Sequence, residues 1–165
     1  MGHAEKVMSD AVAQAADREG KYLTFSLAGE EYGIGILKIR EIIGMLPITS
    51  VPETPRYVKG VINLRGKVIP VMDLRLRFNL EAKAADDNTC IVVVNLTRQD
   101  GSAVLTGLIV DAVEEVLNIN SADIEGAPEV GSQVTTECIL GLAKTKNTVV
   151  TLLAIELVVL GADAA

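Results

Sequence analysis

The side chains able to do chemistry are few and poorly placed for it. The chain has one histidine, His3, and two cysteines, Cys90 and Cys138. Nucleophilic catalysis needs a nucleophile within reach of a base. The histidine lies in Met1-Gly-His3, which reads as a vector remnant. A zinc site needs a spaced set of Cys and His ligands, which this chain lacks. Gly60 to Lys67 is a near miss for a phosphate-binding loop. It has five residues between its glycines where four are required, and Val68 stands where Ser or Thr should follow the lysine. Gly33-Ile-Gly35 opens a dinucleotide fingerprint, but Lys38 occupies the third glycine position. Carboxylates are plentiful, yet nothing in their spacing pairs them as a glycosidase would need. A sugar groove is also rich in aromatics, and there are three Tyr, two Phe and no Trp. The expectation is a protein with no enzymatic activity and no cofactor.

Binding is what remains, and residues 57–75 carry its clearest signal. Two β-branched runs flank Asn63-Leu-Arg-Gly66, the pattern of a tight hairpin in which Gly66 supplies a positive φ. From Arg56 to Arg77 there are six Lys or Arg and one acid, Asp73, in a chain whose net charge is −7. A rigid basic hairpin with an arginine at its tip suits docking. From Gln99 onward ten Asp or Glu face only Lys144 and Lys146. This asymmetry is either an uneven solvated surface or two different partner-facing surfaces. Net acidity argues against non-specific nucleic-acid binding, which needs clustered cations to displace counterions. Cys90 and Cys138 sit in apolar stretches and read as buried reduced thiols, a disulfide between them being the alternative.

The elements that position this hairpin are short and strand-like. Residues 1–21 read as a loosely packed tail with no signal-peptide core. Strands are expected over residues 22–28, 32–37 and 39–45, with a turn at 29–31. Pro47, Pro52 and Pro55 mark an extended loop before the hairpin. A helical turn over 74–80 and a polar connector over 81–88 follow. Further strands are expected over 90–96, 104–110 and 113–119, with a turn at 98–101. A second loop over 120–137 contains Pro128 and Gly131, and a short helix is expected near 155–160. The apolar run 149–160 is broken by Thr151 and Glu156 and falls short of the ~20 residues a membrane span needs. No membrane insertion is expected. Many short strands with turn signals indicate an all-β fold of small barrels or a sandwich. With so few aromatics, the core should be aliphatic.

The hairpin returns in altered form. Residues 60–74 align without gaps on residues 141–155, bringing Gly60 onto Gly141, Arg65 onto Lys146 and Gly66 onto Asn147. Asn is the other residue that tolerates the left-handed turn region. Upstream, Ile39-Arg-Glu-Ile-Ile43 is similar to Val113-Glu-Glu-Val-Leu117. A duplicated unit making two similar small barrels is the simplest reading, chance likeness of two hairpins the alternative. Units this small are marginal alone, so they should share a core. The groove between them would suit a peptide or helix.

Read in order, Arg40-Glu-Ile-Ile43, the Pro47–Pro55 loop, Gly60-Val-Ile-Asn-Leu-Arg-Gly66, Val68 to Leu74 and Gly107-Leu-Ile-Val-Asp111 resemble the CheW family of chemotaxis coupling proteins. The resemblance spans about residues 22–160. It implies two SH3-like five-stranded β-barrels around a shared hydrophobic core, with strands possibly exchanged between subdomains of about 22–85 and 88–160. It also implies a non-enzymatic adaptor with two partners. These are the regulatory domain of the histidine kinase CheA and the cytoplasmic tip of methyl-accepting chemoreceptors, the adaptor being cytoplasmic and recruited to receptor arrays at the inner face of the membrane. Barrel-to-barrel contacts with the kinase domain would build rings. At 165 residues there is no room for an ATP-binding or receiver domain, so a stand-alone adaptor is expected. Alternatives are an adaptor of another chemosensory system, or a β-barrel binding a peptide or small ligand.

By the same resemblance, Ile39, Glu41 and Ile43 meet the kinase. Their plain reading is strand alternation with Glu41 solvated. Gly60, Val61, Asn63, Leu64 and Arg65 match the segment near the receptor-binding groove, and Leu108 and Val110 would line it from the second half unless they are simply core. Arg65 either forks onto a receptor carboxylate or helix C-terminus, or makes an internal salt bridge that rigidifies the two barrels. Ala154 stands where the family often has an Asp, matching Asp73, and Thr145 and Asn147 differ from Leu64 and Gly66. The second hairpin therefore need not bind as the first does.

Overall fold

A computed structural model describes residues 19–126 and 136–164. The expected tail up to residue 18, with His3, lies outside the described residues, as does the part of the second loop holding Pro128 and Gly131.

Eleven strands and two helices are described. In chain order they are β1 (Gly20–Leu27), β2 (Glu30–Gly35), β3 (Ile39–Gly44), β4 (Val58–Leu64), β5 (Lys67–Asp73) and α1 (Leu74–Arg77). Then come β6 (Cys90–Thr97), β7 (Ala103–Val110), β8 (Ala112–Ile119), β9 (Ile124–Glu125), β10 (Ile139–Lys144), β11 (Val149–Leu153) and α2 (Ile155–Ala164). The strand expected to reach residue 37 ends at Gly35. Ile36–Lys38 form a 3₁₀ turn instead, with the Ile39 N–H donating to the Ile36 carbonyl. That turn carries the chain from one sheet to the other.

The strands make two sheets. One has the order β3-β6-β7-β5-β4 and forms barrel 1; the other has the order β8-β1-β2-β11-β10-β9 and forms barrel 2. Each sheet takes one hairpin from the far half of the chain: β6–β7 enters barrel 1 and β1–β2 enters barrel 2. Barrel 1 closes where Thr49 and Val61 exchange two backbone hydrogen bonds of 2.9 Å.

The register makes the two barrels equivalent in detail. Val71 of β5 pairs in parallel with Gly107, and Leu152 of β11 pairs in parallel with Gly33. A Cβ at Gly107 would stand 2.8 Å from Ile91, and one at Gly33 would stand 3.1 Å from Leu152. Both glycines let a parallel pair pack without a side chain between the layers. Hairpins β4–β5 and β10–β11 shift register at matching points, Val58/Gly60 and Ile139/Gly141. The Asp73 N–H donates to the Tyr57 carbonyl at 2.7 Å, and the Ala154 N–H to the Cys138 carbonyl at 2.8 Å. Chance likeness of two hairpins does not produce this matched set of registers.

Apolar residues form three clusters. Ile62, Ile69, Val71, Ile91 and Val93 fill barrel 1, and Tyr22, Ile119, Ala143, Val150 and Leu152 fill barrel 2. The largest lies between the barrels and draws on both. The expectation of an aliphatic core fails at this junction. Phe25, Tyr32 and Phe78 stack there with centroid distances of 5.9 and 5.7 Å, so three of the five aromatics sit together. Burial, with a smaller contribution from Glu30, pushes the Tyr32 hydroxyl above its ordinary pKa. Cys90 and Cys138 are free thiols, half-buried and buried, and burial pushes the Cys90 thiol up. Among the described residues no helix is long and apolar enough to cross a membrane.

Candidate functional site

The β4–β5 hairpin turns in two residues. Leu64 pairs with Lys67, leaving Arg65 at φ 51° and Gly66 at φ 86°. Positive φ at both central residues is the geometry that matches strand twist, and Asn-Gly is its preferred sequence. An arginine in the first place is therefore held against its own backbone preference. Asn63 supports the turn, its Oδ1 accepting from the Gly66 N–H at 2.8 Å.

Arg65 reaches from this tip to β3, where its guanidinium pairs with the Glu41 carboxylate. The pair lies within barrel 1. It does not join the two barrels, because β3 and the hairpin are the two edges of one closed sheet. The second hairpin departs from the first. It turns through residues 145–148, with the Thr145 N–H donating to the Thr148 carbonyl at 2.9 Å. Asn147 is not among the positive-φ residues, so its expected left-handed conformation is not adopted.

The structure brings most of the expected site residues together around barrel 1. In β3, Ile39 packs on the shared cluster and Ile43 on the barrel 1 interior, while Glu41 faces Arg65. Burial alternates through β3 as the plain reading expects, although pairing with β6 shifts register between Ile39 and Glu41, and Glu41 is half-buried, not solvated. Gly60 is buried with φ 140°, and a Cβ there would fall 2.0 Å from the Thr49 carbonyl oxygen. It is the close approach that closes the barrel. Val61 makes the bridge itself, and Leu64 leans on the barrel 1 interior. Leu108 and Val110 are not at any groove surface: they are 0% and 1% exposed in the shared core.

Two further ion pairs span the barrels, and the sequence reading missed both. Arg75 of α1 makes a bidentate pair with Asp111, two bonds of 2.7 Å, and also donates to the Glu81 carbonyl at 3.0 Å. Asp111 also accepts from the Ala28 N–H at 2.9 Å, tying the β1–β2 turn to α1. Burial alone would raise the Asp111 carboxyl, but hydrogen bonds from Arg75 and Ala28 and the charge of Arg75 hold it below the usual carboxylate range. The same hydrogen bond raises Arg75. Lys38 pairs with Glu156 of α2. Their signal was weak, because partners 36 and 118 positions apart share no spacing pattern.

Beside Lys38 and Glu156 lies a mostly apolar cavity of about 540 Å³. Its walls include Tyr22, Ile36, Leu37, Leu140, Leu153 and Ile155. Leu37 at its rim is 95% exposed. Lys38 precedes Glu41 by three residues, roughly 10 Å of chain at strand rise.

A family model described as "CheW-like domain" matches residues 21–161. The chain is 38% identical to the chemotaxis protein CheW of Klebsiella aerogenes over 136 residues, covering 82% of this chain and 79% of that protein. It is also 38% identical over 136 residues to the chemotaxis protein CheW of Helicobacter pylori, with the same coverage. The crystal structure of the scaffolding protein TtCheW from Thermoanaerobacter tengcongensis superposes with a TM-score of 0.75 at 37% identity, covering 85% of this chain and 92% of that one. With its two pseudo-equivalent barrels and its shared core, the chain belongs to the CheW-like domain family.

Proposed function

We propose that this chemotaxis adaptor acts by holding the cytoplasmic tip of a methyl-accepting chemoreceptor and the regulatory domain of CheA on adjoining surfaces of barrel 1. The observation that carries this reading is the Arg65–Glu41 pair. It joins the segment assigned to the receptor with the segment assigned to the kinase, so an event at one surface is felt at the other. An arginine kept at positive φ, where Asn or Gly would fit better, is a local cost that a functional contact explains. Such an adaptor works in the cytoplasm against the receptor's membrane-distal end.

The test is a titration of the full chain with the CheA regulatory domain and, separately, with a receptor cytoplasmic fragment. Binding to both is expected. Binding to neither sinks the reading.

A further inference from the structure

The register that builds barrel 1 also leaves its mouth open. β5 and β7 pair in parallel only over residues 71–73 and 107–109. Upstream, residues 67–70 and 103–106 have no strand pairing across the gap between them. The two-residue hairpin closes on the pair Leu64–Lys67, which turns the Val68 N–H and C=O away from β4 and toward that gap. A cleft of about 330 Å³ opens there, lined in part by Arg40, Lys67, Val68, Asn95 and Leu105. Its depth is apolar, because Ile69 and Leu105 belong to the barrel 1 interior. Val68 is 67% exposed, an apolar side chain left bare beside an unpaired stretch of strand.

The charge of this mouth runs against that of the chain. Among the described residues no carboxylate lines the cleft, in a protein of net charge −7. Arg40 and Lys67 make no ion pair among the described residues, whereas Arg65 beside them is held by Glu41. Barrel 2 offers the comparison. Its β2–β11 pairing likewise starts only at Tyr32 and Thr151, and a cleft of about 380 Å³ opens at the corresponding end. The repeat puts Thr148 there in place of Lys67, and Glu31 in place of Leu105. With Glu115, that cleft carries two carboxylates against Lys146. Corresponding ends of two similar barrels thus carry opposite charge, one cationic and the other on balance acidic.

From this contrast we infer that the mouth of barrel 1 is a docking site for an extended acidic segment of a partner protein, one that alternates carboxylates with small apolar side chains. The segment adds to the free side of β5 at the Val68 backbone, the strand-addition mode of recognition. Lys67 and Val68 are neighbours on a strand and face opposite sides. An alternating segment therefore meets both, its carboxylates on Arg40 and Lys67 and its apolar side chains over Val68. The two cations repel a basic segment, which gives the site its selectivity. The surface adjoins the segments assigned to receptor and kinase but uses none of the residues assigned to either. Its test needs neither protein, so its failure leaves the adaptor reading standing.

The test titrates the full chain with three labelled heptapeptides that alternate Val with Glu, Gln or Lys, read by fluorescence anisotropy at low salt. The Val–Glu peptide is expected to bind saturably, the Val–Gln peptide more weakly and the Val–Lys peptide not at all. Arg40→Gln and Lys67→Gln should each weaken the Val–Glu peptide by roughly 1.5- to 5-fold, and added salt should weaken it on the wild type. The double reversal Arg40→Glu/Lys67→Glu should exchange the Val–Glu peptide for the Val–Lys one, a gain that a misfolded variant cannot give. On the wild type, the bound Val–Glu peptide should slow amide exchange over residues 67–69 and 103–106 and leave residues 30–32 and 148–151 unchanged. No binding of the Val–Glu peptide, equal binding of all three, an affinity that ignores both Gln substitutions, or protection at barrel 2 instead overturns the inference. Self-association of the chain that the double reversal abolishes assigns the mouth to a second copy and overturns the partner segment.

Discussion

Arg65 and Glu41 form an ion pair that ties the tip of hairpin β4–β5 to edge strand β3 across the seam of barrel 1. The pair is largely exposed on the arginine side, so its own contribution to stability is at most about 1 kcal/mol. Holding a non-glycine residue at φ 51° costs about 1–2 kcal/mol. The pair therefore does no more than offset the backbone cost of the turn.

Arg65→Asn is therefore expected to keep or slightly raise stability, by up to about 1 kcal/mol, since Asn tolerates the turn. Receptor-dependent activation of the kinase should fall. Chemical denaturation beside a coupled kinase assay separates the two effects. A variant that melts well below wild type would show that the pair is chiefly structural.

Removing one partner of the Arg75–Asp111 pair leaves a mostly buried charge unpaired. Asp111→Asn should cost about 3 kcal/mol, measured by urea unfolding. The Asp111 pKa is lowered in the folded state, so its stabilisation is complete above the unfolded value near 4. It is lost as pH falls through the lower folded value. Wild type should lose stability over that acid range, and Asp111→Asn should flatten this limb.

Two glycines of the same hairpin should respond differently. At Gly60 a Cβ meets the Thr49 carbonyl, and the φ of 140° is itself strained for any side chain. Gly60→Ala should cost about 2–5 kcal/mol and open the Thr49–Val61 bridge. Gly66 faces open space, so Gly66→Ala should cost only about 1 kcal/mol, from its φ of 86°. Thermal melts of the two variants check the order.

Phe78 is the last ring of the stack that joins the barrels. Phe78→Ala should cost about 3–5 kcal/mol. Because the loss falls on the shared core, melting monitored at barrel 1 and barrel 2 should remain coincident.

The hairpin was legible because its turn chemistry is local. Gly66 and Asn63 must stand where they do for a two-residue turn, and alternation on either side follows. The duplication was legible for the same reason, through matched glycines and apolar runs. Long-range pairing was not. Arg75 and Asp111 are 36 positions apart, and Lys38 and Glu156 are 118 apart, with no periodicity to link them. Leu108 and Val110 are placed at a groove by resemblance alone, although β7 reads as a continuous apolar run. Such a run means cover on both faces: Leu108 and Val110 face the shared core, while Ile109 packs on the barrel 1 interior. The aromatic stack was hidden because Phe25, Tyr32 and Phe78 come from three separate segments.

The exchange of hairpins between barrels has a consequence for synthesis. When β3, β4 and β5 leave the ribosome, the strands that complete their sheet, β6 and β7, are still to come. The β1–β2 hairpin waits longer still, for β8 on its β1 edge and then for β11 on its β2 edge. Lys38 meets Glu156 only after 118 further positions, roughly 6 to 24 s of translation at about 5–20 residues per second. Until β8 emerges to pair with β1 the β1–β2 hairpin has no native mate, and its β2 edge stays open until β11, so its first available partner is the same hairpin of a neighbouring nascent chain on the same message. Cotranslational pairing of that kind would yield dimers joined by traded strands, detectable by mixing two tagged forms during, but not after, their synthesis.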